Sequence, residues 1–135
     1  MGPLSVLLVD DNRHFLGALS SYLQGMGKGE IQVVGAVLDS REAVTRATTT
    51  QPDVVLLDMN MPHLSGLDLL PRLRALLPQA IIVMVTMEDA DDVRQATLAL
   101  GADGFVSKLE ITGALWPTIQ RLVSARRGTR EAACG

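Results

Sequence analysis

Aromatic side chains are scarce: Phe15, Tyr22, Phe105 and Trp116 are the only four in 135 residues. With 3% aromatic but 47% hydrophobic residues, a core has to be aliphatic, built from Leu, Val, Ile, Met and Ala. There is one cysteine, Cys134, so no internal disulfide can form, which fits a reducing compartment. No basic start leads into an apolar signal region, and no apolar run is long enough to cross a bilayer. Neither sign of charge dominates: a net charge of −3 gives no overall attraction to nucleic acid or to a membrane surface. The expectation is one cytoplasmic domain, long enough to bury about two-thirds of its unfolded surface.

What is present is a set of short apolar runs rich in β-branched residues. They are Val6-Leu7-Leu8-Val9, Val54-Val55-Leu56-Leu57, Ile81-Ile82-Val83-Met84-Val85 and Phe105-Val106. Such runs read as strands buried on both faces of a parallel sheet. Each ends on a polar station: Asp10-Asp11, Asp58, Thr86 and Lys108. In open α/β sheets ligands bind at the carboxyl edge, so stations a hundred positions apart can share one crevice.

Between the runs lie helical patterns. Phe15, Leu16, Leu19, Tyr22, Leu23 and Met26 form one apolar stripe, closed by Gly25, Gly27 and Gly29. Ile31–Val37 reads as the second strand, Ser40–Thr48 as a short helix with Val44 and Ala47 inward, and Asp53–Leu57 as the third strand. A loop over Met61–Gly66 leads into a helix carrying Leu67, Leu70, Leu73 and Leu77. Ala80–Val85 is the fourth strand, Asp89–Leu100 the fourth helix and Gly101–Gly104 the turn into the fifth strand. A last helix is expected from about Thr112 to Ser124. Two prolines fall within helices: Pro71 removes a donor and can kink the third, and Pro117 either kinks the fifth or marks a late start with Trp116 outside it. The alternation gives a doubly wound sheet with right-handed crossovers, with the domain over residues 1–125 and a tail or linker start over 126–135.

Leu8-Val9-Asp10-Asp11, then Leu57-Asp58-Met59-Asn60-Met61-Pro62 with Gly66, then Val85-Thr86, then Gly101-Ala102-Asp103-Gly104-Phe105-Val106-Ser107-Lys108 follow one another in order. Together they resemble the receiver domain of bacterial two-component response regulators, over roughly residues 4 to 125. The resemblance implies a flavodoxin-like α/β fold, five parallel strands in the order 2-1-3-4-5 with five helices, and Asp10, Asp11 and Asp58 side by side at the reversal point. It also implies a histidine kinase or phosphotransfer protein as partner, and a switch face on the fourth helix, fifth strand and fifth helix through which a homodimer can form. No contact with nucleic acid or membrane is expected of this domain.

The chemistry of the stations is consistent with that family. Three carboxylates in one crevice repel one another unless a cation intervenes, and Mg²⁺ takes hard oxygen ligands and bridges to phosphate. The expected ligands are Asp11 and Asp58 directly, Asp10 through water, and the backbone carbonyl of Asn60. Asp58 is the expected nucleophile, Lys108 offsets charge on the phosphoryl oxygens, and Thr86 donates its hydroxyl to the product. Phe105 is then expected to fill the space that a moving Thr86 leaves. This makes the chain a phosphorylation-dependent switch and not primarily a turnover enzyme, with Mg²⁺-dependent self-phosphorylation from a donor and weak self-dephosphorylation.

Each station has a plainer reading. Asp10 and Asp11 can cap the first helix, Asp58 can cap a turn, Thr86 can simply end a strand, Lys108 can be a solvated lysine and Phe105 a core residue. His14 and His63 have no ligand spacing to another His or Cys. The alternative function is a receiver-like interaction module that works without phosphorylation. An Asp-dependent phosphatase would want a second acid at position 60, which is Asn. Two residues depart from the common receiver pattern: Met87 is long where a small residue is usual and partly covers the site, and Leu109 replaces a proline, so the Lys108–Leu109 bond is expected trans.

Overall fold

The computed structural model describes residues 2–61, 64–87 and 91–134, with side chains through Arg126. Five strands form one parallel sheet: β1 (Leu4–Val9), β2 (Ile31–Val37), β3 (Val54–Leu57), β4 (Ile81–Thr86) and β5 (Gly104–Ser107), in the order β2-β1-β3-β4-β5. Helices α1 (Arg13–Gly27), α2 (Ser40–Thr50), α3 (Gly66–Leu76), α4 (Asp91–Ala99) and α5 (Ile111–Cys134) connect or follow them. This is the flavodoxin-like, doubly wound arrangement that the sequence implies, with β3 at the centre.

Strand alternation sorts the side chains into two aliphatic cores. Leu7, Val9, Val55, Leu57, Ile82, Met84 and Phe105 face α2 and α3. Val6, Leu8, Val54, Leu56, Val83, Val85 and Val106 face α1 and α5. Register is uniform between β1 and β3 (Val9 opposite Leu57) and between β4 and β5 (Thr86 opposite Ser107), so the strands end together. The ladder also extends one residue past two strands, where the amides of Asp10 and Asp58 donate to Val37 and Val9.

Helix boundaries follow local chemistry. Asn12 caps α1, its Oδ1 accepting from the Phe15 amide, so neither Asp10 nor Asp11 is the cap. The helix stops where Lys28 takes a left-handed conformation (φ 44°) and Gly29 continues it (φ 88°). On α2 it is Ala43 and Ala47 that are fully buried, with Val44 only partly so. On α3, Leu69 joins Leu70 and Leu73 in the core while Leu67 is half-buried. The loop residues Pro62 and His63, and the expected α4 start at Asp89, lie outside the described residues.

The last helix differs most from expectation. A single 3-10 turn, Lys108–Glu110, leads directly into α5 at Ile111, so Trp116 is inside the helix and buried, and Pro117 is an interior residue. Pro117 cannot donate to the preceding turn, and nearby the Tyr22 hydroxyl of α1 accepts from the Trp116 amide (3.3 Å) and donates to the Thr112 carbonyl (3.4 Å). The helix also runs past Ser124 to Cys134, through residues that are mostly good helix formers. Among the described residues no helix is long and apolar enough to cross a membrane.

Candidate functional site

The coinciding strand ends place Asp10, Asp58 and Lys108 just past β1, β3 and β5, and Thr86 as the last residue of β4. Asp10, Asp58 and Thr86 are buried, whereas Asp11 and Asn60 are exposed at the rim. Continued alternation turns Asp10, Asp58 and Lys108 towards the α1/α5 side, and Thr86 with Phe105 towards the α3/α4 side.

Lys108 joins the carboxylates. Its Nζ lies 2.7 Å from Asp10 Oδ2 and 3.8 Å from Asp58 Oδ1, and its side chain is only 15% exposed. The Asn12 amide donates to Asp10 Oδ1 (2.9 Å), but Oδ2 is buried and has no aligned hydrogen-bond donor. The ammonium therefore compensates its charge at close range without fully satisfying it. Carboxylate oxygens of Asp10, Asp11 and Asp58 come within 4.8 Å of one another.

Asp58 is held near protonation. Burial, then the charge of Asp10, raises its pKa to about 6 from the ordinary 3.8, against the opposing pull of Lys108 and of the Asn60 and Met59 amides. A cation would remove that penalty. The incompletely satisfied Asp10 Oδ2, the clustered oxygens and the raised Asp58 all fit a small divalent ion with oxygen ligands.

The loop carrying Asp58 is clamped from behind. The Gly66 amide donates to the Met59 carbonyl (2.7 Å), and any Cβ at Gly66 would collide with the Asp58 carbonyl and the Met59 backbone. Ser65 caps α3 there, its hydroxyl accepting from the Asp68 amide. On the other side, the buried Phe105 ring sits beneath the Arg94 guanidinium at 4.9 Å from its centroid.

The site's margins carry two exposed apolar residues. Met87, 57% exposed, follows Thr86. Leu109, 75% exposed, follows Lys108 through a trans bond. Two further residues lie at the site: Asn12, which the sequence reading did not single out, and Phe15, which it read only as part of the apolar stripe of α1. Asn12 links Asp10 to the helix, and the Phe15 ring lies 4.3 Å from Lys108 Nζ. Phe15 continues the apolar stripe of its helix, so periodicity alone cannot distinguish it from a core residue. His14 lies exposed on α1.

Comparison with known proteins agrees with this geometry. The family model of the response regulator receiver domain matches residues 6–119. The chain belongs to the response regulator receiver family. A curated relative, the protein-glutamate methylesterase/protein-glutamine glutaminase 1 of Myxococcus xanthus, is 36% identical over 107 residues, covering 79% of this chain and 30% of its own length. The receiver thus spans less than a third of that relative. Among solved structures, the chemotaxis protein CheY4 of Vibrio cholerae superimposes with a TM-score of 0.78 at 30% identity, over 90% of this chain and 99% of its own. A CheY-like receiver domain protein from Methanospirillum hungatei gives 0.82 at 21% identity, over 95% and 99%, and supports the fold alone.

Proposed function

We propose that this receiver accepts a phosphoryl group on Asp58 from a histidine kinase or phosphotransfer protein and acts as a phosphorylation-controlled switch. The observation that carries the reading is Lys108, held tightly by Asp10 but 3.8 Å from Asp58, which leaves the acceptor carboxylate close to a cation and not locked to it. A bond at full ion-pair distance would occupy the oxygen that has to attack.

In the transfer, an Asp58 oxygen attacks the phosphorus of a phosphohistidine; the phosphorus–oxygen bond forms as the phosphorus–nitrogen bond breaks, and the imidazole nitrogen keeps the electron pair and takes a proton. Lys108 faces the new anionic oxygens, and the Thr86 hydroxyl donates to one of them. Asp11, Asp58 and the Asn60 carbonyl, with Asp10 through water, would hold Mg²⁺, which when bound neutralises the carboxylates and lowers the cost of bringing in an anionic donor. Attack of water on the same phosphorus returns free Asp58 and inorganic phosphate.

The switch follows from the sheet. Thr86 and Phe105 lie on neighbouring strands and the same face, so drawing Thr86 towards a phosphoryl oxygen changes the space open to the ring and, through Arg94, the surface of α4. The surface of α4, β5 and α5 is the proposed output face, for a partner or a second copy.

Intact mass after incubation with Mg²⁺ and a small phosphodonor tests the acceptor. The wild-type chain gains one base- and hydroxylamine-labile phosphoryl group and Asp58→Ala gains none; equal labelling of both removes the reading. Thr86→Ala accepts the group but loses the change in amide exchange over residues 91–124 that the wild type shows. An unchanged exchange pattern in fully modified wild type would remove the switch.

A further inference from the structure

We infer that Phe15 is a positioning residue for Lys108, using the face of its ring to hold the ammonium between Asp10 and the phosphoacceptor. The inference rests on the phosphoacceptor reading of Asp58. Three groups surround Nζ: Asp10 Oδ2 at 2.7 Å, Asp58 Oδ1 at 3.8 Å and the Phe15 ring centroid at 4.3 Å. The ring supplies the uncharged side of this cage.

The chemistry of an aromatic face suits that place. It attracts a cation through its quadrupole, yet it carries no net charge and takes none of the ammonium's protons in a strong hydrogen bond. Those protons stay available to phosphoryl oxygens. A carboxylate in the same position would compete for them, and an aliphatic side chain would fill the volume without attracting the charge. The ring also helps to keep Lys108 only 15% exposed, where its charge acts through less water.

Phe15 is itself fixed relative to the crevice. Asn12 donates its amide to Asp10 Oδ1 at 2.9 Å and accepts from the Phe15 amide at 3.0 Å. One residue therefore ties together the two groups that flank the ammonium. Phe15 also packs against the core between the sheet and α1, so its backbone and its ring are both anchored.

The test is the rate of labelling of the full chain by a saturating small phosphodonor with Mg²⁺. Phe15→Leu slows it about 5-fold, the rate equivalent of a cation–π contact of about 1 kcal/mol. Phe15→Tyr and Phe15→Trp, which keep a ring face, retain the rate. Replacing Phe15 with progressively fluorinated phenylalanines, which drain the ring face while keeping its shape, lowers the rate stepwise without moving the melting temperature. In a Lys108→Ala background, Phe15→Leu has no further effect on the residual rate. Wild-type speed in Phe15→Leu, a rate indifferent to fluorination, or an undiminished effect without Lys108 would each overturn the inference while leaving Asp58 as acceptor. A wild-type chain that takes no label fails at the acceptor itself and takes this inference with it.

Discussion

At the amino ends of the strands, Asp103 accepts from Arg74 (2.6 Å), Arg126 (2.9 Å) and the Ile82 amide (2.9 Å), and Arg74 also donates to the carbonyls of Ala80 (2.7 Å) and Gly101 (2.7 Å). At the carboxyl ends, Asp10 Oδ2 is buried with the Lys108 ammonium at 2.7 Å but no aligned hydrogen bond, and Asp58 is pushed towards protonation by burial and a like charge. The same residue types are thus satisfied at one end and strained at the other. Partly buried charge stabilises a fold when its hydrogen bonds are complete, and it costs stability when they are not. A protein keeps such a cost where a ligand removes it, and this difference supports the proposal that the carboxyl end is the reactive one.

The satisfied end should break hardest. Asp103→Ala removes one acceptor from each of two guanidinium groups, which keep their carbonyl partners, and the acceptor of the Ile82 amide, and should cost about 2–3 kcal/mol, read as a lower denaturant midpoint at unchanged slope. Labelling of Asp58 should survive it, because the lesion lies at the far edge of the sheet.

Gly66→Ala sharpens the contrast from the other side. Its Cβ meets the Asp58 and Met59 backbone, which has no flexible side chain to move aside. A loss of about 1–3 kcal/mol is expected from overpacking, together with a fall in the labelling rate as Asp58 is displaced. Loss of stability with full labelling would mean that the loop adapts without moving its carboxylate.

Asp58→Asn should do the reverse and stabilise the metal-free protein. With a pKa of about 6 in the fold against 3.8 ordinarily, the folded chain holds the proton more tightly. The stability this contributes is fully present below pH 3.8 and is lost as pH rises through about 6. The substitution should raise the melting temperature by a few degrees at pH 8 and change little at pH 4. By the same linkage, Mg²⁺ competes with that proton, so its calorimetric affinity should fall as pH drops through about 6, and Asp11→Ala should weaken it more than Asp10→Ala.

The smallest effect belongs to the margin between the two ends. Arg94→Ala removes a guanidinium from over a ring that the core already holds, and should cost under about 1 kcal/mol in chemical denaturation.

Much of this contrast was visible in the sequence, but unevenly. Strands were legible because burial on both faces demands unbroken apolar runs, and their polar ends marked Asp10, Asp58, Thr86 and Lys108. The opposing network was not. Asp103 reads as a turn residue, Arg74 as the polar side of a helix and Arg126 as a tail residue, and only the tertiary fold brings them within hydrogen-bond reach. Phe15 and Leu69 were obscured for a related reason, since periodicity assigns a face of a helix and not the neighbour that face meets. The continuation of α5 past Ser124 was missed because residues 126–135 were read as a tail or linker start, whereas the helix runs on to Cys134; of the two readings of Pro117, the structure places it inside the helix near the Tyr22 hydroxyl.

The central claim, that the carboxyl-end charges are strained in wait for a cation and a phosphoryl group, is tested most directly by thermal unfolding with and without Mg²⁺ and beryllium fluoride. The wild-type chain and Asp103→Ala should each gain several degrees from the mixture, and Asp58→Asn should gain almost nothing. Equal gains in wild type and Asp58→Asn, or none in wild type, would contradict it.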